Sequence, residues 1–546
     1  MPWRRAMVDP RAGHGGWTIA WCLAALTAGV VYLQPPTPWM RRGVVHVAPD
    51  GFDGWLGGDR RLAVRTIQRG LDLARAGETV LVWPGVYRES LRLRHGGRAG
   101  RPLILRAAVP GQAVISGTAD PSVSRHWSWQ PVGPRRYRTR TPWRIDGLRV
   151  DGVMAYRARR ATDLDALCRR PGAMPAFQMR GDHQLDLCLP QGRPPQQRRL
   201  DVNRRIPARR RSGGHQVALL WVEAPHVEIR DLVFDFPVMA AIQLWNTHHL
   251  RISGNAFHGA DVAIDGSTGL RQPHQLLIDH NVSDCRPLYQ WRQRGWLSWA
   301  EVYPYSNCSL TWIQGRDISL RHNLISEAGD GIKLSPLGGR NRIEANVIAF
   351  TTDDGIELDG AASNLEVSHN LVVATWASLG ISPVSTGPLR IHHNLFLQQR
   401  QNPLSGNGVW LKLMGGPIHG VTLDHNLFLG QRLAWSVPDS PVSDFSLQNN
   451  LLLLVDPAEA GFHARRQVAW QDNRAVVLPW QAWPPPDLGP PALLALLESG
   501  VGDGPPLPLE LPLPILRPGP AWYRLEQEAS GRQLKALLDA GWIRSR

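Results

Sequence analysis

Val227-Glu-Ile-Arg-Asp231 and Leu250-Arg-Ile-Ser-Gly-Asn255 are two copies of one short pattern, an alternating apolar strand closed by a turn-forming side chain. The pattern recurs with Asn281, Asn323, Asn346, Asn370, Asn394, Asn426 and Asn450, at successive spacings of 24, 26, 42, 23, 24, 24, 32 and 24 residues counted from Asp231. Apolar residues alternate before each asparagine and continue directly after it, so a unit holds several short strands and at least one bend. A period near 24 with this content predicts one coil of a right-handed parallel β-helix per unit, an all-β solenoid. No coil can bury its inner face alone, so the coils share a core. Asparagine at each bend is expected to bond to its counterparts above and below. His280, His322, His369, His393 and His425 precede several of these asparagines. They read either as part of that corner stack or as a metal-binding row.

Working outward, residues 45–121 form an opening unit. Val45-His-Val-Ala-Pro-Asp50-Gly51 and Val80-Leu-Val-Trp-Pro-Gly-Val-Tyr87 are strands with turns, and Val114-Ile-Ser-Gly117 closes the unit. Ala63 to Ala76 carries helical periodicity, with Ile67, Leu71 and Ala74 on one face, and predicts a helix that caps the open end of the core. Residues 122–215 break the rhythm and read as an inserted, Arg- and Pro-rich β elaboration. The main solenoid is expected over 216–455, followed by a Pro-rich tail over 456–546 with a short amphipathic helix from Glu526 to Ala540. At the other end, Arg4, Arg5 and Arg11 precede an apolar run from Trp17 to Leu33. Residues 1–16 then stay in the cytoplasm, and 17–34 form a membrane anchor or a cleaved signal, with the body in the periplasm or at the cell surface.

The net charge of +15 favours a polyanionic partner. The export segment and the lack of a nucleic-acid-binding motif point away from nucleic acid and toward an acidic polysaccharide. A monomer is expected. The cysteines allow Cys168–Cys188 and Cys285–Cys308 bridges, or remain free thiols, and no spacing among them suggests zinc. The 42-residue interval contains Trp291, Trp296, Trp299, Tyr303, Tyr305 and Trp312. These aromatics either stack on sugar faces or pack their loop onto the solenoid.

Chemistry concentrates in three coils: Gly329-Asp330-Gly331-Ile332-Lys333-Leu334, Thr352-Asp353-Asp354-Gly355-Ile356-Glu357-Leu358-Asp359-Gly360, and Gly406-Asn407-Gly408-Val409-Trp410-Leu411-Lys412-Leu413. Aligned on Gly331, Gly355 and Gly408, they send Ile332, Ile356 and Val409 inward. Lys333, Glu357, Ser382 and Trp410 fall in one outward column, and Ser335, Asp359, Val384 and Lys412 in a second. With coils about 4.8 Å apart, Asp330, Asp353, Asp354 and Glu357 converge, and Lys412 lies on the order of 10 Å beyond Asp359. Carboxylates packed this closely need a cation, an ion-pair network through Lys333, or shared protons. An all-oxygen set suits Ca2+. Beside such a cation Lys412 would lose proton affinity and serve as a general base; otherwise it is a plain surface charge. The chain has only three lysines, Lys333, Lys412 and Lys535, against abundant arginine.

The run from Asp330 through Asn341 to Glu357, with Gly406-Asn-Gly-Val-Trp-Leu-Lys412-Leu-Met-Gly-Gly416, resembles the calcium-dependent pectate lyases of polysaccharide lyase family nine. Glu357 stands where that family has Asp, and the lysine segment carries extra residues. The resemblance implies Asp330, Asp353, Asp354 and Glu357 as calcium ligands and Lys412 as the Brønsted base. Lys333, Asp359, Trp410, Trp296 and Trp299 are then candidates for substrate binding. The expected function is a calcium-dependent lyase cleaving a uronate-containing polysaccharide by β-elimination. A C5-epimerase, an inverting glycoside hydrolase and a non-catalytic polysaccharide-binding or export protein remain as alternatives.

Overall fold

A strand that alternates apolar and polar residues buries only one side, and here that side is shared by every coil. The computed structural model describes residues 43–158, 160–169, 175–189, 193–203, 218–237, 239–267, 272–284, 308–360, 362–373, 375–381, 383–398, 409–430, 432–436, 441–454, 468–477, 509–511 and 543–545. It is a right-handed parallel β-helix, with three strands to a coil. One coil runs through His248–Ser253 on the first face, Ala256–His258 on the second and Val262–Gly266 on the third. Each strand pairs in parallel with its counterparts in the coils before and after. Leu250 lies between Val227 and Leu276, Phe257 next to Phe234, and Ile264 next to Ile242. Like thus stacks on like: Phe234 and Phe257 are fully buried with ring centroids 5.2 Å apart. Each such apolar side chain contributes roughly 1.5–3 kcal/mol through burial. Strands Ser309–Arg321 and Ile332–Glu344 run from the third face into the first without a break.

The bend between first and second faces is built on the predicted asparagines. Asn255, Asn281, Asn323, Asn346, Asn370, Asn394, Asn426 and Asn450 form a buried ladder that ends on Asn473. The backbone N–H and Nδ2 of one asparagine both donate to Oδ1 of the next, at 2.8–3.1 Å. Nδ2 also donates to a strand carbonyl of the preceding coil, as from Asn370 to Ile343 and from Asn426 to Ile391. The residue before each rung has φ between 51° and 68°. Glycine fills that place at Gly254, and histidine, which tolerates the left-handed region better than most side chains, fills it at His280, His322, His369, His393 and His425. His369, His393 and His425 stack with centroids 5.1–5.4 Å apart. Asp231 belongs to this left-handed column (φ 62°), so Leu232, one residue later, occupies the rung and its N–H donates to Asn255 Oδ1.

The opening unit caps the solenoid as expected. Helix Ile67–Leu73 starts at Thr66, whose side chain accepts from the Arg69 N–H, while the Glu89 carboxylate accepts from Ile67 and Gln68. Ile67 and Leu71 are buried against Val45, Val47, Val80 and Val82 of the first strands. The insertion is a separate, mainly antiparallel unit, in which only Tyr156–Arg157 pairs in parallel, with Ala176–Arg180. Its five-stranded sheet is ordered Tyr156–Arg157, Ala176–Arg180, Gln184–Cys188, Arg136–Arg140, Gln130–Gly133. Its own core includes Trp129, Ile145, Leu148, Phe177, Leu185 and Leu187. Cys168 and Cys188 are disulfide-bonded. Cys308 is also disulfide-bonded, while Cys285 lies outside the described residues. Arg149 joins the insertion to the solenoid through Asp235, with two hydrogen bonds of 2.8 Å.

The solenoid runs past the expected end at Val455. Ala469–Gln471 pairs with Ser446–Gln448, and Arg474–Val477 pairs with Leu451–Leu454, adding one coil around Asn473. The tail helix at 526–540 and the segment 17–34 lie outside the described residues. Among those described, no helix is long and apolar enough to cross a membrane.

The ladder should be sensitive in its middle. Asn370→Ala removes the acceptor for Asn346 and the donor for Ile343 and Asn394 in a fully buried position. A loss of about 3 kcal/mol or more is expected, measured as a lower denaturation midpoint.

Candidate functional site

The acidic coils and both lysines meet where the second face bends into the third. On the third face Lys333 pairs with Glu357, Glu357 with Gly380, and Gly380 with Lys412. Ile332, Ile356, Leu379 and Leu411 form the fully buried column beside it. Val409 therefore aligns with Ala377 and Asp354, and Trp410 falls beside Ser378 in the inward column of Gly355. This corrects the alignment on Gly408, which is out by two residues. Lys412 belongs to the Lys333–Glu357 column and not to that of Asp359. Trp410 is not a surface residue: it is fully buried, 5.3 Å from Phe428 and 5.7 Å from Phe396 between ring centroids. The physical reason is the side of the sheet: a Cβ on Gly355 would stand 2.5 Å from Val372 Cγ1 of the second face, and the indole occupies the same inward position, beside Phe396 and Phe428.

Gly380 is what lets Lys412 reach across a coil. A Cβ there would stand 2.1 Å from Asp354 Oδ2, so the carboxylate occupies the volume a side chain would need. Lys412 Nζ lies 2.5 Å from that Asp354 oxygen and 3.0 Å from Asp353 Oδ1. Lys412 is thus ion-paired within the cluster. Lys333 Nζ lies 2.5 Å from Glu357 Oε2 and 3.4 Å from Asp359 Oδ2. Asp354 N–H donates to Asp330 Oδ1 at 3.2 Å. Two half-buried rings flank the ammonium groups: Trp312 has its centroid 5.3 Å from Lys333 Nζ, and Trp376 has its centroid 5.5 Å from Lys412 Nζ. Trp376 and Gly380 were not singled out in the sequence. Both sit about one coil after the Asp353–Glu357 stretch, and that spacing was the signal for them. Trp296 and Trp299 lie outside the described residues, as do Gly406, Asn407, Gly408 and Ser382.

Five carboxylates, Asp330, Asp353, Asp354, Glu357 and Asp359, face two lysines. Burial, with Asp330 nearby, raises Asp353 to about 6, against the pull of Lys412. Burial and Asp330 raise Glu357 to about 8 despite Lys333. Burial likewise lifts Asp354 and Asp359, with Lys412 and Lys333 opposing. For Lys412, burial favours loss of the proton, but Asp354, Asp353, Asp330 and Glu357 outweigh it and hold the ammonium above its ordinary range. Lys333 is raised in the same way by Glu357, Asp330 and Asp359. The acids outnumber the cations, so the cluster holds protons or a further cation.

A hard cation fits the donor set. Asp330, Asp353 and Asp354 each place an oxygen within 4.8 Å of the other two. Oxygens on opposite sides of one calcium are about 4.6–5.2 Å apart. Neither Asp354 oxygen receives a well-directed hydrogen bond, although both are buried. Lys412 Nζ already meets Asp353 and Asp354, so an ion held there would compete with this ammonium for the same carboxylates.

A family model described as right handed beta helix region matches residues 218–411. No curated protein matches the chain. Among solved structures, a complex of XylC with xylose aligns at a TM-score of 0.50 and 14% identity, over 80% of this chain and 84% of that one. A glycoside hydrolase aligns at 0.46 and 12% identity, over 79% and 96%. Pectate lyase Pel9A aligns at 0.36 and 10% identity, over 80% and 77%. At such identities the likeness is one of fold.

The cluster carries a pH signature. A carboxyl raised in the folded state stabilises below its ordinary pKa, and that contribution is lost as pH rises through the folded value. With Asp353 near 6 and Glu357 near 8, the chelator-treated protein should lose thermal stability between about pH 4 and pH 8. Calcium should restore the melting temperature at pH 8 more than at pH 5, read by calorimetry. A flat profile in both media would remove the case for uncompensated acids. Gly380→Ala should lower the melting temperature by displacing Asp354, and should weaken any calcium-induced rise.

Proposed function

We propose that the third-face cluster is the active site of a cation-dependent lyase that cleaves an acidic, uronate-containing polysaccharide. The supporting observation is that Lys412 Nζ shares Asp353 and Asp354 with the position suited to a cation. Asp330, Asp353 and Asp354 would hold calcium, with Glu357 beside them. The bound cation would neutralise the uronate carboxylate and acidify the neighbouring C5 proton.

A cation held by Asp353 and Asp354 would offset the charges that keep Lys412 protonated, and would leave its amine available as a base, a role that arginine would not fill. Lys412 removes the C5 proton, the C4–C5 double bond forms, and the C4–O bond breaks, with the leaving oxygen protonated by water. Lys333 remains tied to Glu357 and Asp359, and keeps positive charge near the substrate carboxylate. Trp312 and Trp376 offer half-buried ring faces beside the two lysines, suited to sugar C–H surfaces. The +15 net charge favours an acidic polymer. The Cys168–Cys188 bridge agrees with an extracytoplasmic address, as does the apolar segment at 17–34. The fold relative with bound xylose carries a sugar on the same architecture.

One observation favours a second reading. Glu357, raised to about 8, is a protonated acid at neutral pH, while Asp353, near 6, is largely ionised. That difference suits the acid and base of a glycoside hydrolase.

Both readings are separated by one assay. Wild-type protein and Lys412→Ala are incubated with polygalacturonate, alginate and a neutral xylan, in calcium or in chelator. The lyase reading expects ultraviolet absorbance from an unsaturated uronate, present only with calcium, and reduced about 10²–10⁴-fold in Lys412→Ala. New reducing ends without absorbance, persisting in chelator, would transfer the site to the hydrolase reading.

A further inference from the structure

A second cluster lies on another edge of the solenoid, where the third face bends into the first, and in earlier coils than the acidic site. Val227 pairs with Leu250, so the preceding residues His226 and His249 occupy equivalent corner positions, both left-handed at φ 55° and 53°. His248 pairs directly with His274 of the following coil. Two adjacent columns of the bend thus bring four imidazoles together from three consecutive coils. Ring centroids are 4.4 Å apart for His226 and His249, 4.8 Å for His248 and His249, and 4.8 Å for His248 and His274.

We propose that His226, His248 and His249, with His274 beside them, bind a borderline transition-metal ion of the zinc or copper class. One ring nitrogen from each of His226, His248 and His249 lies within 4.8 Å of the other two. Nitrogens on a tetrahedral zinc, at about 2.0–2.1 Å from the metal, are about 3.3 Å from one another. His248 Nδ1 and His249 Nδ1 are closer than that, at 2.6 Å, and the third nitrogen, within 4.8 Å, need approach by no more than about 1.5 Å. His226 and His248 are half-buried and His249 is exposed, so the rings can turn and an ion can enter. Imidazole as the donor selects zinc, copper or nickel over calcium or magnesium.

The other histidine row differs in part. There, His425 meets Asp424 at 2.9 Å and His280 meets Asp279 at 3.2 Å, and His392, beside His393, meets Glu366 at 2.9 Å. Among the described residues, none of the four imidazoles here has a carboxylate partner within ion-pair distance. Nitrogens of His226, His248 and His249 lie close together, so that a common ion would satisfy them, while His274 Nδ1 meets the Gln272 carbonyl at 3.4 Å. It would tie two consecutive coils close to where the chain rejoins the solenoid after the insertion, adding stability to the folded state.

The test uses the full chain, stripped of metal, and copper ion as the probe. Wild type should take up one equivalent with nitrogen superhyperfine splitting in its electron paramagnetic resonance spectrum. Carboxylate ligands would not produce that splitting. His226→Asn and His249→Asn keep a side chain that tolerates the left-handed backbone. Each should weaken copper binding at least about tenfold and reduce the nitrogen pattern. His393→Asn, in the other row, should leave both unchanged. Zinc should raise the melting temperature of wild type and not of the His226→Asn/His249→Asn double variant. Copper binding unaltered by His226→Asn and His249→Asn, or no uptake by a wild type that melts normally, overturns the site.

Discussion

Everything in this molecule depends on the hydrogen bonds that run from one buried asparagine to the next. A bend in a parallel β-helix turns backbone donors and acceptors away from the sheets and into a dry interior, where each unsatisfied group costs on the order of 1–3 kcal/mol. The asparagine amide supplies both a donor and an acceptor at one point. It therefore satisfies the bend and registers the coil against its neighbours at the same time. Once that register is held, every other column follows, including the apolar columns that make the core and the polar column that runs through Lys333, Glu357, Gly380 and Lys412.

The acidic site is a product of this stacking rather than of any local motif. Asp330, Asp353 and Asp354 come from two coils, and Lys412 reaches them from further along because a glycine leaves the intervening position empty. A helix or a hairpin could not bring four such groups into one buried volume without long connections. The solenoid does so with short strands, and the mutual repulsion of the acids is borne by the many contacts of the coils that carry them.

The fold was legible because the ladder requires the same side chain at a nearly constant interval. Asn255 through Asn450 could therefore be seen as a series before any strand was placed. The identity of the acidic cluster was legible for the same reason, since Asp330 and Asp354 are one period apart. What failed was register across the long interval before Lys412. Glycines look alike in sequence, and Gly408 was matched to Gly331 although the strands place Trp410 in the glycine column and Lys412 opposite Gly380. An indole in a core of phenylalanines and an indole on a sugar-binding surface have the same sequence signature, and only the side of the sheet distinguishes them. The last coil was missed because Val468 to Val477 sits in polar surroundings, although Asn473 carried the repeat.

The place of the insertion also bears on how the chain reaches this structure. Leu91–Leu93, Leu103–Ala107 and Ala113–Ser116 pair with strands that begin only at Ala218, after the whole inserted unit. During synthesis the capped first coils would present an open sheet edge while the intervening residues emerge. The insertion's own core allows it to fold in that interval, and its ends lie side by side, with Ala119 N–H donating to the Val202 carbonyl at 2.8 Å. A long closure thereby becomes a short one, because the entropy of joining the two ends has already been spent within the insertion. The unit that interrupts the repeat would then act as a clasp that brings the following chain back toward the exposed edge.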